Sequence, residues 1–441
     1  MFRISALWKA PPGVRVPHNK DTAQKATVKL PIPELIILTM SQHVGAPCTP
    51  VVKKGDQVYV GTLVGKAPSP MSMNIYSSVS GTVKSVEDLM YKAGNPEKAV
   101  LITPDGNQTP DPSIQPPEVT DKESFLNALK NSGIVGLGGA GFPTAVKVSP
   151  NNLSEIDTLL INGAECEPYL TTDNREMLEC SDTIVEGIEA CLKYLGIPRC
   201  QMCIEDNKPE AIAKMREATA GNPKIKVTVL DSRYPQGAEK TLIKNATGRE
   251  VPRGGLPANV DVIVLNVTTT SSIGKFLRTG MPLVSKRLTV SGDAVENHQN
   301  VEVPIGTQIQ DVLNFCGLKE EPTKILVGGP MMGNAQMDVN YPITRQNNGL
   351  LAFTDKYCKE LEPGPCIHCG RCVNACPAGL SPVNILDAYE KYDAERLDTL
   401  MADLCIGCGT CSYVCPASRP LTQTTNLAKA FLNTEKRRKK S

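Results

Sequence analysis

The chain has 441 residues and a mass of 47.4 kDa, more than one compact core accommodates, so two to four domains are expected. Lys and Arg total 47 against 46 Asp and Glu, a formal charge of +1, and only 4% of residues are aromatic, with one Trp; both argue against a nucleic-acid binder. No apolar run approaches the roughly 18–20 residues that span a bilayer. The opening MFRISALWKAPPG lacks the apolar stretch and cleavage site of a signal peptide, so a cytosolic chain, or one docked on something cytosolic, is expected.

Residues 1–27 read as an extended, Pro-rich segment. Over 28–103 short alternating runs such as VVKKGDQVYVGTLVGK and IYSSVSGTVKSV are cut by Gly-Asp and Ser-Gly turns, which predicts a small β-barrel or sandwich. The pattern resembles the barrel-sandwich hybrid of lipoyl and biotinyl carriers. Those present a lysine at a hairpin tip, whereas this chain has Pro70, Met71, Ser72, Met73 and Asn74 there, so a structural or docking role is expected instead of carriage. Residues 104–119 hold five prolines and read as a linker. Over 120–285 an amphipathic helix carrying Phe125, Leu126 and Leu129 leads into a glycine loop. Strands DTLLING, KVTVL and DVIVLNV then alternate with helical stretches at 182–195 and 209–220, an α/β pattern with mostly parallel strands.

Gly136, Gly138 and Gly141 satisfy G-x-G-x-x-G, but the dinucleotide fingerprint needs a strand before the loop, and here a helix precedes it. Phe142, Pro143 and Thr144 stand where a P-loop requires Lys-Ser/Thr. What remains is a nest of backbone N–H groups entering a helix, with Lys147 one turn on, which suits a phosphate; a tight packing turn is the alternative. The strand DTLLIN ends at Asn162, Gly163, Ala164, Glu165, Cys166, Glu167 and Pro168. It offers an amide and two carboxylates where a parallel strand meets a ligand crevice, though a metal site or solvated turn charges remain open. Cys166 reads as small packing.

Residues 286–345 return to β character, with a strand, a threonine-led helix and another strand suggesting a β-grasp-like module. Then Cys366-x2-Cys369-x2-Cys372-x3-Cys376-Pro377 is repeated as Cys405-x2-Cys408-x2-Cys411-x3-Cys415-Pro416. Three thiolates at two-residue spacing converge on one iron–sulfur cubane, and the fourth serves the partner cluster. The expected sets are Cys366, Cys369, Cys372 and Cys415 for one [4Fe–4S] cluster, and Cys405, Cys408, Cys411 and Cys376 for the other. Structural zinc favours separated C-x2-C pairs and has no use for a third cysteine at the same step. The segment 380–403 reads as helical, so an all-helical two-cluster domain over 355–425 is expected. Cys200-x2-Cys203 reads as an isolated apolar pair, and His368 as tuning a cluster without ligating it. The tail 426–441 ends in KRRKK, a frayed solvated end or an attraction to anionic lipid.

Taken together, the glycine loop with its lysine, the N-x-x-E-x-E-P turn, Gly237-Ala238-Glu239-Lys240-Thr241 and Asn266-Val267-Thr268-Thr269 resemble the NADH-oxidising flavoprotein subunit of respiratory complex I. SQHVGAPCTP, GLGGAGFPTAVK, NGAECEPYLTTD, VGGPMMG and CIGCGTCSYVCPASRPL are closer still to the RnfC family, the C component of the Rnf complex, a membrane-bound, ion-pumping ferredoxin:NAD oxidoreductase. The resemblance implies a multidomain α/β protein with an N-terminal barrel-sandwich hybrid, a central FMN and NADH domain, an SLBB β-grasp-like module and the two-cluster ferredoxin domain. It implies that Gly136, Gly138, Gly139, Gly141, Lys147, Asn162 and Asn266 cradle FMN. Glu165, Glu167 and Glu239 would face FMN or the nicotinamide, and Phe142 would pack against adenine. Leu137, Ala164 and Ala238 depart from the complex I pattern in polar contact. Hydride transfer between stacked rings needs no acid or base, so no catalytic residue is expected. The implied cofactors are FMN, NAD(H) and two [4Fe–4S] clusters. The implied partners are membrane and iron–sulfur subunits, with ferredoxin as ultimate donor or acceptor, at the cytoplasmic face of the cell membrane. A soluble corrin reductase and a non-catalytic electron-wiring subunit are the alternatives.

Overall fold

The structure, a computed structural model, describes residues 13–92, 95–358 and 361–439. Two small antiparallel sheets form the N-terminal unit. One orders Ile36–Thr39, Asn95–Pro104, Gly81–Lys92 and Gln57–Val58, and the other orders Thr49–Pro50, Leu63–Lys66 and Ile75–Tyr76. Alternate residues of these short strands, among them Ile36, Leu38, Val64, Ile75, Val100 and Ile102, close one core between the sheets. The turn that carriers use for a lysine is turned inward here. Met73 is buried against Val135 and Leu137 of the glycine loop, and the Val44 N–H donates to the Gly141 carbonyl at 2.9 Å. The Pro-rich stretch that follows is laid along the same unit: Val60 bridges Pro110, and Thr62 Oγ1 donates to Asp111 Oδ2 at 2.6 Å.

The central sheet is fully parallel, in the order Ile225–Leu230, Arg199–Glu205, Thr158–Gly163, Val262–Asn266. Apolar side chains on both of its faces lie in separate cores, as expected where helices cover both sides. The helix Ser181–Leu195 buries Ile184, Ile188, Cys191, Leu192 and Leu195, a 3.6-residue stripe in which each large apolar side chain contributes roughly 1.5–3 kcal/mol. Cys200 and Cys203 lie on the strand Arg199–Glu205. An odd spacing on a strand sends side chains to opposite faces, and the two thiols are accordingly buried in different cores, so they form no chelating pair.

A six-stranded sheet follows, ordered Val28–Lys29, Gln299–Pro304, Ser285–Ser291, Gly349–Phe353, Lys324–Val327, Asn334–Gln336, with the helix Ile309–Cys316 packed on it. It draws Val28–Lys29 from the start of the stretch expected to form the barrel and Gly349–Phe353 from beyond residue 345. From residue 361 on, the described chain is helical, with Arg371–Ala375, Pro382–Glu390, Ala394–Thr399, Thr410–Tyr413 and Leu421–Arg438 around a core of Leu380, Ile385, Leu397, Ala428 and Leu432. The basic end is not frayed as far as Arg438. Lys436 pairs with Asp398 at 2.6 Å and Asp403 at 3.2 Å, and Arg253 of the central unit reaches the same two carboxylates at 2.7 Å each. Lys440 lies outside the described residues. Among the described residues no helix is long and apolar enough to cross a membrane.

The helices Ser181–Leu195 and Val267–Thr279 touch backbone to backbone. A methyl group at Gly187 would strike the Thr270 carbonyl, and one at Gly274 the Thr183 carbonyl. Gly274→Ala should therefore destabilise the central unit by about 1–3 kcal/mol, read as a lower urea midpoint; an unchanged midpoint would contradict this packing.

Candidate functional site

In the central sheet, chain order runs outward in one direction from Thr158–Gly163 and resumes on its other side at Val262–Asn266. The crevice between these two strands is the topological switch point, where open α/β sheets bind ligands at the strands' carboxyl ends. Asn162 and Asn266 are register partners at that end. The glycine loop stands beside them, closed on itself by Gly136 N–H to the Phe142 carbonyl at 2.8 Å and Gly141 N–H to the Gly136 carbonyl at 3.0 Å. Leu137 is buried, its N–H donating to Thr269 Oγ1 at 2.8 Å, while Gly138, Gly139 and Ala140 form the exposed rim. A methyl group on Gly138 would sit 3.3 Å from Asn266. Gly139, at φ +118°, has open space where its Cβ would be. The loop thus presents backbone with no side chain in the way, and Lys147 stands on the helix Thr144–Lys147 that it leads into. This fits a phosphate-bearing cofactor.

The side chains expected at this site divide between open and committed. Lys147 forms an ion pair with Glu239, both partly exposed, which brings the third element to the loop. Asn162 Nδ2 donates to the Gly237 carbonyl at 2.8 Å, and its Oδ1 accepts from Ala164 N–H at 3.1 Å, tying that element to the acidic turn. Asn266 Oδ1 caps the helix Val267–Thr279 by accepting from the N–H groups of Thr268 and Thr269 at 2.9 and 3.3 Å, and its Nδ2 donates to Asp173 at 2.8 Å. Glu165 is buried, and its carboxylate accepts from Asp173 N–H at 2.9 Å, Asn174 N–H at 3.3 Å and Thr172 Oγ1 at 3.1 Å. It caps the helix Thr172–Glu179, where a negative charge meets the positive end of the dipole. The Glu165 carboxylate is thereby committed to that helix. Phe142 is half-buried. Cys166 accepts from Gly237 N–H at 3.3 Å, and burial pushes its thiol up to about 12, so it is a neutral packing group.

Glu167 points the other way. Its Oε2 accepts from Met331 N–H at 3.1 Å, and its Oε1 lies 3.4 Å from the Tyr234 hydroxyl. That hydroxyl donates to the Cys408 carbonyl at 2.7 Å. Gly329 leaves room for this carboxylate, since a Cβ there would push the Glu167 side chain aside. Burial pushes the Glu167 carboxyl up to about 7. The acidic turn is therefore joined through a fully buried tyrosine to the second cysteine run.

Each cysteine run contributes to two cavities. Cys366, Cys369, Cys372 and Cys415 line one of about 100 Å³, with His368, Arg371 and Arg419 at its walls. Cys376, Cys405, Cys408 and Cys411 line a tighter one. The crossed fourth cysteine of each run is thus the arrangement the fold produces. Sulfur acceptors are already supplied with donors, with His368 N–H 3.5 Å from Cys366 Sγ, Gly407 N–H 3.4 Å from Cys405 Sγ and Thr410 Oγ1 2.8 Å from Cys408 Sγ. Such bonds tune cluster potentials. Among the described residues no three His, Cys, Asp or Glu side chains group around one point as ligands of a single ion. Four thiols ringing a cavity suit a cubane, in which each binds a different iron.

Family models match the chain in the order of these units. An RnfC barrel-sandwich hybrid domain matches residues 8–107, a Nuo51 FMN-binding domain 129–275, an SLBB domain 287–335 and a 4Fe-4S dicluster domain 365–418. The RnfC-type component of the Na(+)-translocating ferredoxin:NAD(+) oxidoreductase complex of Acetobacterium woodii is 41% identical over 435 residues, 97% of each chain. Its counterpart in the ion-translocating oxidoreductase complex of Rhodobacter capsulatus is 40% identical over 96% of this chain and 82% of its own. The chain belongs to the RnfC family of ion-translocating oxidoreductase complexes. Its cofactors are FMN and [4Fe–4S] clusters. A chain of an NAD+-reducing [NiFe]-hydrogenase, 16% identical with a TM-score of 0.51, shares the fold over 71% of this chain and 63% of its own.

Family membership accounts for the motifs, yet the buried groups around them carry no motif. Lys286, from the neighbouring six-stranded sheet, is buried beneath the glycine loop with its Nζ 3.4 Å from the Leu137 carbonyl. Burial lowers its pKa, against the charge of Asp173. Burial in turn pushes the Asp173 carboxyl upward. Lys208 and Glu205 form a fully buried pair at 2.7 Å behind the acidic turn, and Lys20 reaches the turn from the N-terminal segment. No sequence signal marks these, because each is a lone charged residue with no motif around it.

Two outcomes are expected. Cys376→Ala should degrade the cluster shared with Cys405, Cys408 and Cys411, and paramagnetic resonance showing loss of the other cluster would contradict the crossed set. Because the Glu167 carboxyl rises from 4.5 to about 7 on folding, ionising it opposes the fold. Its effect on stability is therefore absent below about pH 4.5, and stability falls as pH climbs from there to about 7. Glu167→Gln should accordingly gain melting temperature on the wild type across that interval, and parallel curves would refute the shift.

Proposed function

We propose that this chain is the peripheral electron-transfer subunit of a membrane ion-translocating ferredoxin:NAD oxidoreductase. It exchanges a hydride between NAD(H) and FMN and passes single electrons through two [4Fe–4S] clusters to or from membrane partner subunits at the cytoplasmic face. The observation that carries the reading is the junction itself: at the sheet's switch point the acidic turn, with the glycine loop beside it, is joined through Glu167 and Tyr234 to the backbone of Cys408. The relatives' names, which specify ferredoxin and NAD(+), support the same substrates here. FMN supplies the conversion between the two-electron chemistry of a hydride and the one-electron chemistry of a cluster.

The chain's own residues bind and orient. The N–H groups of the exposed rim 138–140 and the charge of Lys147 would hold the flavin phosphate, with Lys286 adding positive charge from below. Asn162 and Glu239 build one wall, and Asn266 forms the floor under Gly138 while capping its helix. Glu239 would border the nicotinamide side and Phe142, at the loop's end, the adenine side, while Glu167 ties the acidic turn to Tyr234. Cys376, Cys405, Cys408 and Cys411 hold the cluster nearer the flavin, and Cys366, Cys369, Cys372 and Cys415 the more exposed one. No side chain is required to move a proton to a reacting carbon.

The test is anaerobic reconstitution with iron, sulfide and FMN, followed by NADH, recording absorbance and paramagnetic resonance. Flavin bleaching and then reduced-cluster signals are expected. Gly138→Val should lose FMN with its clusters intact. Retention of full flavin by that variant sinks the phosphate assignment, and FMN that NADH leaves oxidised in the wild type sinks the NAD(H) role.

A further inference from the structure

We propose that Lys20 is a positioning residue of the flavin and nucleotide site: its ammonium holds the backbone of the acidic turn, and through that backbone sets where the Glu165 and Glu167 carboxylates stand. This rests on the reading of the switch-point crevice as the FMN and NAD(H) site. Lys20 Nζ donates to the carbonyl oxygen of Glu165 at 2.9 Å, to that of Glu167 at 3.0 Å and to that of Leu170. An ammonium has three N–H bonds and no acceptor, and all three are spent on one six-residue stretch. The His18 carbonyl adds a fourth tie by accepting from Tyr169 N–H at 2.9 Å, where Tyr169 is held at φ +69°.

The consequence follows from chain geometry. Carbonyls drawn to one cation fix the planes of the peptides they belong to, and with them the directions in which the intervening side chains leave the backbone. Glu165 is thereby aimed at the start of the helix Thr172–Glu179, whose Asp173 holds Asn266 beneath the glycine loop, and Glu167 at Met331 and Tyr234 on the cluster side. Lys208 supports the first of these carbonyls at 3.3 Å while paired with Glu205. Without Lys20, the Glu167 and Leu170 carbonyls would lack this donor and the Glu165 carbonyl would keep only Lys208, and the turn would reorganise to find others.

The strap that carries Lys20 does not need it as an anchor. Val14 exchanges two backbone hydrogen bonds of 2.8 Å with Tyr234. Thr22 Oγ1 lies 2.6 Å from Thr171 Oγ1, and Asn300 Nδ2 donates to the Thr22 carbonyl at 3.0 Å. Further on, Val28–Lys29 pairs with Val301 and Glu302. The Lys20 bonds therefore act on the turn and not on the strap's attachment.

The experiment uses the full chain reconstituted with clusters and FMN, comparing wild type, Lys20→Met, Lys20→Arg and Thr22→Val. Flavin content, flavin midpoint potential, melting temperature, and KM and kcat for NADH with ferricyanide as acceptor are measured. Lys20→Met should keep its FMN and clusters, shift the flavin potential and lose on the order of ten- to a hundredfold in kcat/KM. Thr22→Val should lower the melting temperature and leave potential and KM at wild-type values. Lys20→Met with wild-type potential and KM overturns the inference, as does Thr22→Val moving both as far. If Lys20→Met does not fold, Lys20→Arg decides: a planar guanidinium keeps the charge but cannot send three bonds from one nitrogen, so a smaller shift in the same direction supports the role and wild-type values overturn it. A wild-type chain whose FMN is not reduced by NADH removes the functional reading and this inference together.

Discussion

Burying the turn 165–170 puts carbonyls and carboxylates where water cannot satisfy them, and the rest of the chain is arranged to do so. Lys20 and His18 reach it from the N-terminal strap, Lys208 from the edge of the next strand, Met331 from the six-stranded unit, and Tyr234 from the loop that also touches Cys408. Four parts of the chain are held in one geometry by a demand that arises in six residues. An electron-transfer protein benefits from that rigidity, because its cofactors exchange electrons only when held close.

The same region concentrates buried charge. Lys286 lies near Asp173, Lys208 beside Glu205, and Arg287 beside Glu176. Buried pairs of this kind add little net stability against well-packed apolar groups, since desolvation offsets most of the Coulomb attraction. Their value here is orientational: Asp173 accepts from Asn266 and Thr268 at 2.8 and 2.7 Å, so the floor beneath Gly138 is fixed by the same carboxylate that offsets Lys286.

The barrel-sandwich unit shows how a carrier-like fold is put to another use. With Met73 in place of a projecting lysine, its turn becomes a plug against Val135 and Leu137, and the glycine loop is pressed between this unit and the helix cap at Asn266. A loop poor in side chains has little packing of its own, so neighbours must hold it. Arg253 and Lys436, sharing Asp398 and Asp403, fasten the cluster unit in a comparable way through exposed ion pairs that salt weakens.

Local chemistry was legible in the sequence. The doubled cysteine spacing pointed to [4Fe–4S] clusters, because ligand spacing is set within a dozen residues, and the two cavities group the cysteines in the crossed sets that the spacing suggested. The alternating strand and helix patterns gave the parallel sheet, apart from Arg199–Glu205, whose cysteines obscured a strand. The glycine loop and the acidic turn were recognisable as a site, yet the opposite fates of Glu165, which caps a helix, and Glu167, which faces Tyr234, were not. Nor were Lys20, Lys208 and Lys286. Sequence by itself determines which groups are present and what short-range spacing allows. Which carboxylate is consumed, and which lysine meets its turn from more than a hundred residues away, is decided only when burial forces every polar group to find a partner.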